Sequence, residues 1–114
     1  MLKTTRTTLL FTSLFVTTIL PAQELPRPSP EQATQAILEM MQLVDELGGQ
    51  ASVKLGTCIP AVEAEHEGQI ACTVAVVMGA GSSETQADFY RQEQKWVAQP
   101  SVSQDELPFP DPAL

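Results

Sequence analysis

Two cysteines place the tightest constraint on how this chain folds. Cys58 and Cys72 are its only cysteines, and thirteen residues separate them. Each lies in a stretch with alternating apolar residues. If these stretches are antiparallel strands joined by a turn centred on Glu65, opposed residue numbers add up to about 130, as 58 and 72 do. The sulfurs then face each other, and a disulfide closing this fifteen-residue loop contributes roughly 3 kcal/mol on the chain-entropy estimate.

The N-terminus predicts export to a compartment where such a bond persists. Lys3 and Arg6 precede a mainly apolar run, residues 9–20, which ends at Pro21 and Ala22. This is the pattern of a cleavable signal peptide, residues 1–22. The run is shorter than the roughly 20 residues of a membrane-spanning helix, so no stable membrane anchor is expected after cleavage. We expect the bacterial periplasm in preference to an extracellular location, with both cysteines oxidised.

Charge excludes two classes of partner. Cleavage after residue 22 leaves four basic and fourteen acidic residues, a net charge of −10. Proteins that bind nucleic acid or anionic membranes need clustered lysine and arginine to neutralise phosphates. We therefore expect neither of these partners. A basic partner, a cation, or no charged partner at all stay open on the charge alone.

Proline marks both ends of the mature chain. Residues 23–29 contain Pro26 and Pro28 among polar residues and predict an extended linker. Residues 100–114 combine prolines with acidic and small residues and predict a disordered tail. The folded domain is then residues 30–99, a size at which a covalent cross-link matters.

A helix is predicted to begin at the start of this domain. Ser29 supplies an N-cap and Pro30 the first helical position. Gln32, three residues after the cap, completes a capping box. Apolar residues then recur at steps of three and four, and Gly48 and Gly49 end the helix. That apolar stripe consists of Ala33, Ala36, Ile37, Met40, Met41, Val44 and Leu47.

Strands are predicted for the rest of the domain. Residues 51–58 alternate in polarity, with Gly56 as the site of a bulge, and residues 69–78 are apolar on both faces, as in a central strand. Residues 79–85 predict a glycine-serine turn. Residues 86–99 fit either a helix or a hairpin. The hairpin is favoured because strand-forming residues flank Glu93 and Gln94 and no clean helical stripe appears.

The order of elements predicts an α+β fold: one N-terminal helix packed on an antiparallel meander of three or four strands. This order resembles the cystatin-like and nuclear-transport-factor-like architectures over residues 30–99. The resemblance lies in architecture alone and implies no activity.

No residue pattern predicts catalysis or a bound cofactor. Glu63, Glu65, His66 and Glu67 are the only cluster of metal-ligand types, but they lack zinc-site spacing and favour a solvated loop, with weak metal binding as the alternative. The turn at residues 79–84 copies two glycines of the dinucleotide-binding fingerprint and then has glutamate where a small residue is needed.

Five apolar residues are candidates for contact with a partner. Phe89, Tyr90 and Trp96 are either exposed on short strands or, as we favour, part of a small core. Leu107 and Phe109 lie in the proline-rich tail with the spacing of a docking peptide.

These observations predict a small exported binding or accessory protein that is not an enzyme. An inhibitor or immunity-type protein acting on a basic partner is one member of this class that suits the charge, because carboxylates complement basic clefts and accelerate encounter. The alternative is a small-molecule or enzymatic pocket between helix and sheet.

Overall fold

The protein is described here by a computed structural model covering residues 25–114. The predicted signal peptide lies outside the described residues. The elements are helices α1, Pro30–Met41, and α2, Val44–Leu47, and strands β1, Ala51–Pro60, β2, Ile70–Met78, β3, Gly81–Gln92, and β4, Lys95–Pro100. Single 3-10 turns precede β1 at Gly48–Gln50 and follow β4 at Gln104–Glu106. Within residues 25–114, no helix is long and apolar enough to cross a membrane.

The predicted α+β fold is confirmed. The four strands form one antiparallel sheet in the order β1-β2-β3-β4. Helix α1 packs on one face, the helix face, and lies nearest to the outer strands β1 and β4, so the sheet curves around the helix. The core between them consists of Ala33, Ala36, Ile37, Val53, Ile70, Cys72, Val74, Val76, Ala87, Phe89, Trp96 and Ala98.

The start of α1 follows its sequence signals. The Ser29 hydroxyl oxygen accepts a hydrogen bond from the Gln32 backbone N–H (3.2 Å), and the Gln32 side-chain oxygen accepts one from the Ser29 N–H (2.8 Å). Two N–H groups that the helix itself cannot satisfy are thereby paired. Just before this cap, Leu25 packs against the core and Pro28 is buried, so the described part of the predicted linker joins the domain.

The end of α1 was predicted too late in the chain. The helix stops at Met41, because Gln42 adopts the left-handed conformation with φ 59° and donates its N–H to the carbonyls of Leu38 and Glu39. Glycine or asparagine is the usual residue at such a cap, so glutamine gave no signal. The predicted stripe is consequently broken, and Val44 and Leu47 belong to the separate helix α2.

The first hairpin is clamped as its sequence register predicted. Cys58 is paired with Cys72 across β1 and β2, and their sulfurs form a disulfide with a Cα–Cα distance of 4.1 Å. The register shifts between Leu55 and Cys58, which confirms a bulge at Gly56. Strand β2 is buried on both faces along residues 70–76, as expected of an interior strand.

The two remaining turns are each two residues long, and the first of them is shorter than predicted. Only Gly79 and Ala80 connect β2 to β3, and Gly79 has φ 56°, so the predicted turn over residues 79–85 is mostly strand. Backbone pairing with β2 overrides the polar side chains of residues 82–85. The predicted hairpin over residues 86–99 is confirmed, with Glu93 and Gln94 both at positive φ as in a type I′ turn.

The tail was predicted to be disordered over residues 100–114, but Pro100 ends β4, and residues 101–114 lie across the face of the sheet opposite α1, the tail face. Leu107 is buried there, the Thr73 hydroxyl donates to the Pro108 carbonyl (3.1 Å), and the Thr57 N–H donates to the Asp111 carboxylate (2.6 Å). Gly56 makes room for this contact, because a Cβ atom on it would lie 2.5 Å from an Asp111 carboxylate oxygen. Composition gives the number of prolines and acids in the tail. It does not show which groups of the sheet donate hydrogen bonds to the tail.

Candidate partner-binding surface

The structure separates the five predicted contact residues into interior and surface. Phe89, Trp96 and Leu107 are 0%, 7% and 6% exposed, so their side chains are part of the folded interior. Tyr90 is half-buried. Phe109 is 67% exposed and is the one member of the set whose ring stands free of the core.

Tyr90 and His66 form a stacked pair on the tail face. Their ring centroids are 3.7 Å apart and the ring planes differ by 7°. The stack fixes the tip of the β1–β2 loop, residues 61–69, against strand β3. The imidazole therefore has a packing role in this loop.

The buried side-chain amide of Gln69 holds the backbone of the same loop. The Gln69 side-chain oxygen accepts hydrogen bonds from the backbone N–H groups of Glu65 (2.9 Å) and His66 (3.1 Å). The Gln69 backbone carbonyl accepts from the Ala61 N–H (3.1 Å), closing the base of the loop. These bonds hold a charged, solvent-facing segment in one conformation.

Asp88 on β3 anchors Gln69, and sequence reasoning missed it. The Gln69 amide nitrogen donates to Asp88 Oδ2 (2.7 Å), while Asp88 Oδ1 has no hydrogen-bond partner within residues 25–114. Asp88 is 0% exposed, so a substrate has no access to it in this conformation. An acid between buried Ala87 and Phe89 was the available signal, because a strand places it on the face opposite its neighbours.

The loop presents three carboxylates outward. Glu63, Glu65 and Glu67, the predicted metal candidates with His66, are exposed. Nowhere in the described part of the chain do three His, Cys, Asp or Glu side chains group closely enough to hold a metal ion. The ion pair found in residues 25–114 lies elsewhere, between Lys95 Nζ and Glu39 (2.8 Å). We call residues 62–68 the acidic tip.

Two carboxyl groups have shifted acidities. The pKa of Glu39 is lowered by its hydrogen bonds from Lys95 and Gln35. Burial alone would raise the pKa of Asp111, but hydrogen bonds from Thr57 and Ala113 together bring it below its usual value of 3.8. Ionised Asp111 therefore ties the tail to the bulge of β1.

Clefts beside the helix offer little volume to a ligand. One of about 290 Å³ lies between α1 and β1 and includes Thr34 and Val53, and one of about 180 Å³ lies between α1 and the β3–β4 turn and includes Trp96. Pockets for drug-sized ligands start at about 300 Å³. A larger cleft of about 380 Å³ lies on the tail face, between β3 and residues 104–109.

No protein-family model, curated protein or solved structure matches this chain. Its function therefore has to be inferred from the chemistry of its own surface. That surface combines an acidic tip held by hydrogen bonds and an acidic cleft on the tail face, while both cysteines are in a disulfide against the core.

Proposed function

We propose that this chain is a small exported, non-catalytic binding protein whose acidic surface docks on a basic protein partner, as an inhibitor or immunity protein does. The observation that supports this most directly is the acidic tip. Glu63, Glu65 and Glu67 point outward from a loop that is held by Gln69, Asp88 and the His66–Tyr90 stack. A loop ordered before binding loses little conformational entropy when a partner engages it.

The charge balance of the whole surface supports the same proposal. Residues 25–114 carry thirteen acidic and four basic side chains, and Lys95 is already paired with Glu39. A surface with this excess of carboxylates attracts a basic partner over distances of about a Debye length and raises the association rate at low salt.

The disulfide points to an oxidising, exported location. We place the protein in the bacterial periplasm, with the signal peptide removed and without a stable membrane anchor. The partner is then a basic protein of the same compartment. Nucleic acid is not proposed as a ligand, because the protein's acidic charge repels phosphates.

Charge removal at the acidic tip tests the proposal. The mature protein is immobilised, and extract from its native compartment is applied at low ionic strength, with elution by a salt gradient. We expect a basic protein to be retained by the wild type and to be lost with Glu63→Gln, Glu65→Gln and Glu67→Gln combined. The matched control also removes three charges, with Glu31→Gln on α1 and Asp45→Asn and Glu46→Gln on α2, all of them exposed acids remote in sequence from the tip.

Equal retention of the same protein by the wild type and the tip variant would remove the tip from the proposal. Retention that does not weaken as salt rises would contradict the electrostatic basis of binding.

A further inference from the structure

The cleft on the tail face is lined by two carboxylates, two amides, one hydroxyl and one aromatic ring. It has a volume of about 380 Å³, and its lining residues are Glu84, Thr85, Gln86, Gln104, Asp105 and Phe109. None of these six side chains is basic. The cleft lies between β3 and the tail and shares no lining residue with the acidic tip, which is joined to the tail by a hydrogen bond from the Val62 N–H to the Ser103 hydroxyl (3.0 Å).

Both amide side chains in the cleft are oriented by backbone carbonyls. The Gln86 amide nitrogen donates to the Gln104 carbonyl (3.4 Å), and the Gln104 amide nitrogen donates to the Ser101 carbonyl (3.2 Å). One N–H of each amide is thus engaged, while the second N–H and the amide oxygen of each have no hydrogen-bond partner within residues 25–114. One carboxylate oxygen of Glu84 accepts a hydrogen bond from the Asp111 N–H (3.1 Å). The other oxygen has no hydrogen-bond partner within residues 25–114. The free carboxylate and amide oxygens of the lining outnumber its remaining donors, so the cleft favours a ligand that supplies donors.

Phe109 is held at the mouth of the cleft. On its N-terminal side Leu107 is buried and the Pro108 carbonyl accepts from Thr73, and on its C-terminal side the Asp111 N–H bonds to Glu84. The ring is 67% exposed between these two anchors. Large aromatic side chains fixed on a surface are typical of contact sites, because little side-chain freedom is lost when they are covered.

We infer that this cleft binds one arginine side chain of the partner protein, an inference that rests on the proposed function. A guanidinium group carries five N–H donors and no acceptor, pairs with carboxylates such as that of Asp105, and stacks on an aromatic face. Each of these properties matches a feature of the cleft: free acceptor oxygens, two carboxylates, and the exposed ring of Phe109.

The test is a titration of the isotopically labelled full-length mature protein with the peptide N-acetyl-Gly-Arg-Gly-amide, followed by NMR amide shifts. The control peptide replaces arginine by citrulline, which keeps the shape of the side chain and removes its charge. We expect saturable shifts confined to residues 84–86 and 104–109 with the arginine peptide alone.

Matched variants locate the binding chemistry. Phe109→Ala and Asp105→Asn are each expected to weaken binding of the arginine peptide by about two- to fivefold, the loss of one exposed cation–π or ionic contact. Val102→Ala removes a comparably exposed apolar side chain (62%), and Glu106→Gln removes the charge next to Asp105 in the same 3-10 turn. Neither residue lines the cleft, and both variants are expected to bind as the wild type does.

Equal binding of the citrulline peptide, shifts spread over every acidic segment, or variants that match their controls would overturn the arginine site. These outcomes are separate from failure of the proposed function. A basic partner that is retained equally by the wild type and by Phe109→Ala leaves the function standing and removes the cleft. If the wild type retains no basic partner but still binds the arginine peptide, the proposed function is removed and the arginine-binding cleft is kept.

Discussion

The two faces of the sheet are covered in different ways. On the helix face, α1 buries apolar side chains such as Ile37 against Val74 and Phe89, each 0% exposed. On the tail face, an irregular segment covers small residues, including Ala71 and Thr73, which are buried equally well. Packing of α1 on the helix face is stabilised by buried apolar area, whereas docking of the tail on the tail face is stabilised by individual hydrogen bonds. We therefore expect substitutions on the helix face to change global stability, and those on the tail face to change local docking.

The largest effect is expected from Phe89→Ala on the helix face. Removing a wholly buried phenylalanine from a small core typically costs about 3–5 kcal/mol in the free energy of unfolding. Urea denaturation with the disulfide intact measures this loss. Val77→Ala, at a 37% exposed position of β2, is the control and should cost far less. A loss under about 1 kcal/mol for Phe89→Ala would mean that the helix face is not the main source of stability.

A smaller and local effect is expected from Gly56→Ala on the tail face. The added Cβ would lie 2.5 Å from an Asp111 carboxylate oxygen and 2.9 Å from Leu114 Cγ, so the end of the tail must move. Crowding of this kind costs about 1–3 kcal/mol. Hydrogen exchange should rise in residues 104–114 and stay unchanged in α1.

Gly49→Ala is the matched control for that substitution, because a Cβ there has no heavy atom within 4 Å. If Gly56→Ala accelerates exchange throughout the domain, the two faces are one cooperative unit and the contrast between them is not valid.

The same contrast explains what sequence reasoning could and could not predict. The helix face has periodic signals: the cap at Ser29, the spacing of Ala33, Ala36 and Ile37, and a register that pairs the two cysteines. These signals are local or depend on simple geometry. Docking of the tail has no period, since it depends on single groups that are 18 to 54 residues away, the farthest being Thr57 for Asp111.

The candidate site follows the same division. The acidic tip was visible as a charged segment, and Phe109 as a tail aromatic. Asp88 and Gln69 were not selected, because their partnership forms only when the loop folds back over β3. The arrangement of the tail-face cleft was also hidden, since it requires the amide orientations of Gln86 and Gln104.

Asp88→Asn is expected to have a small effect on stability, within about 1 kcal/mol. The asparagine oxygen can still accept from Gln69, and a buried neutral amide replaces a carboxylate that has one unpartnered oxygen. Asp88→Leu is the contrasting variant, because it leaves the buried Gln69 donor unpaired at a cost of about 1–3 kcal/mol. Thermal unfolding of both variants checks this order. A large loss in Asp88→Asn would show that the second oxygen has a partner that matters, such as a bound ion or water.

Acid should release the tail before it disturbs the helix face, and this is the smallest effect expected. Because the pKa of Asp111 is lowered in the folded protein, its ionised form stabilises tail docking at pH values above its usual pKa of 3.8, and that stabilisation is lost as the pH falls through the lower folded value. Amide spectra recorded from pH 6 to pH 2.5 should show residues 108–114 changing while the α1 signals persist. Glu39 also has a lowered pKa, and Glu39→Gln removes its contribution without touching the tail.

In Asp111→Asn the tail should be partly released at neutral pH and insensitive to acid, because an amide oxygen cannot accept all three hydrogen bonds that the carboxylate receives from Thr57 and Ala113. Retention of the same acid transition in Asp111→Asn would assign it to another carboxyl group.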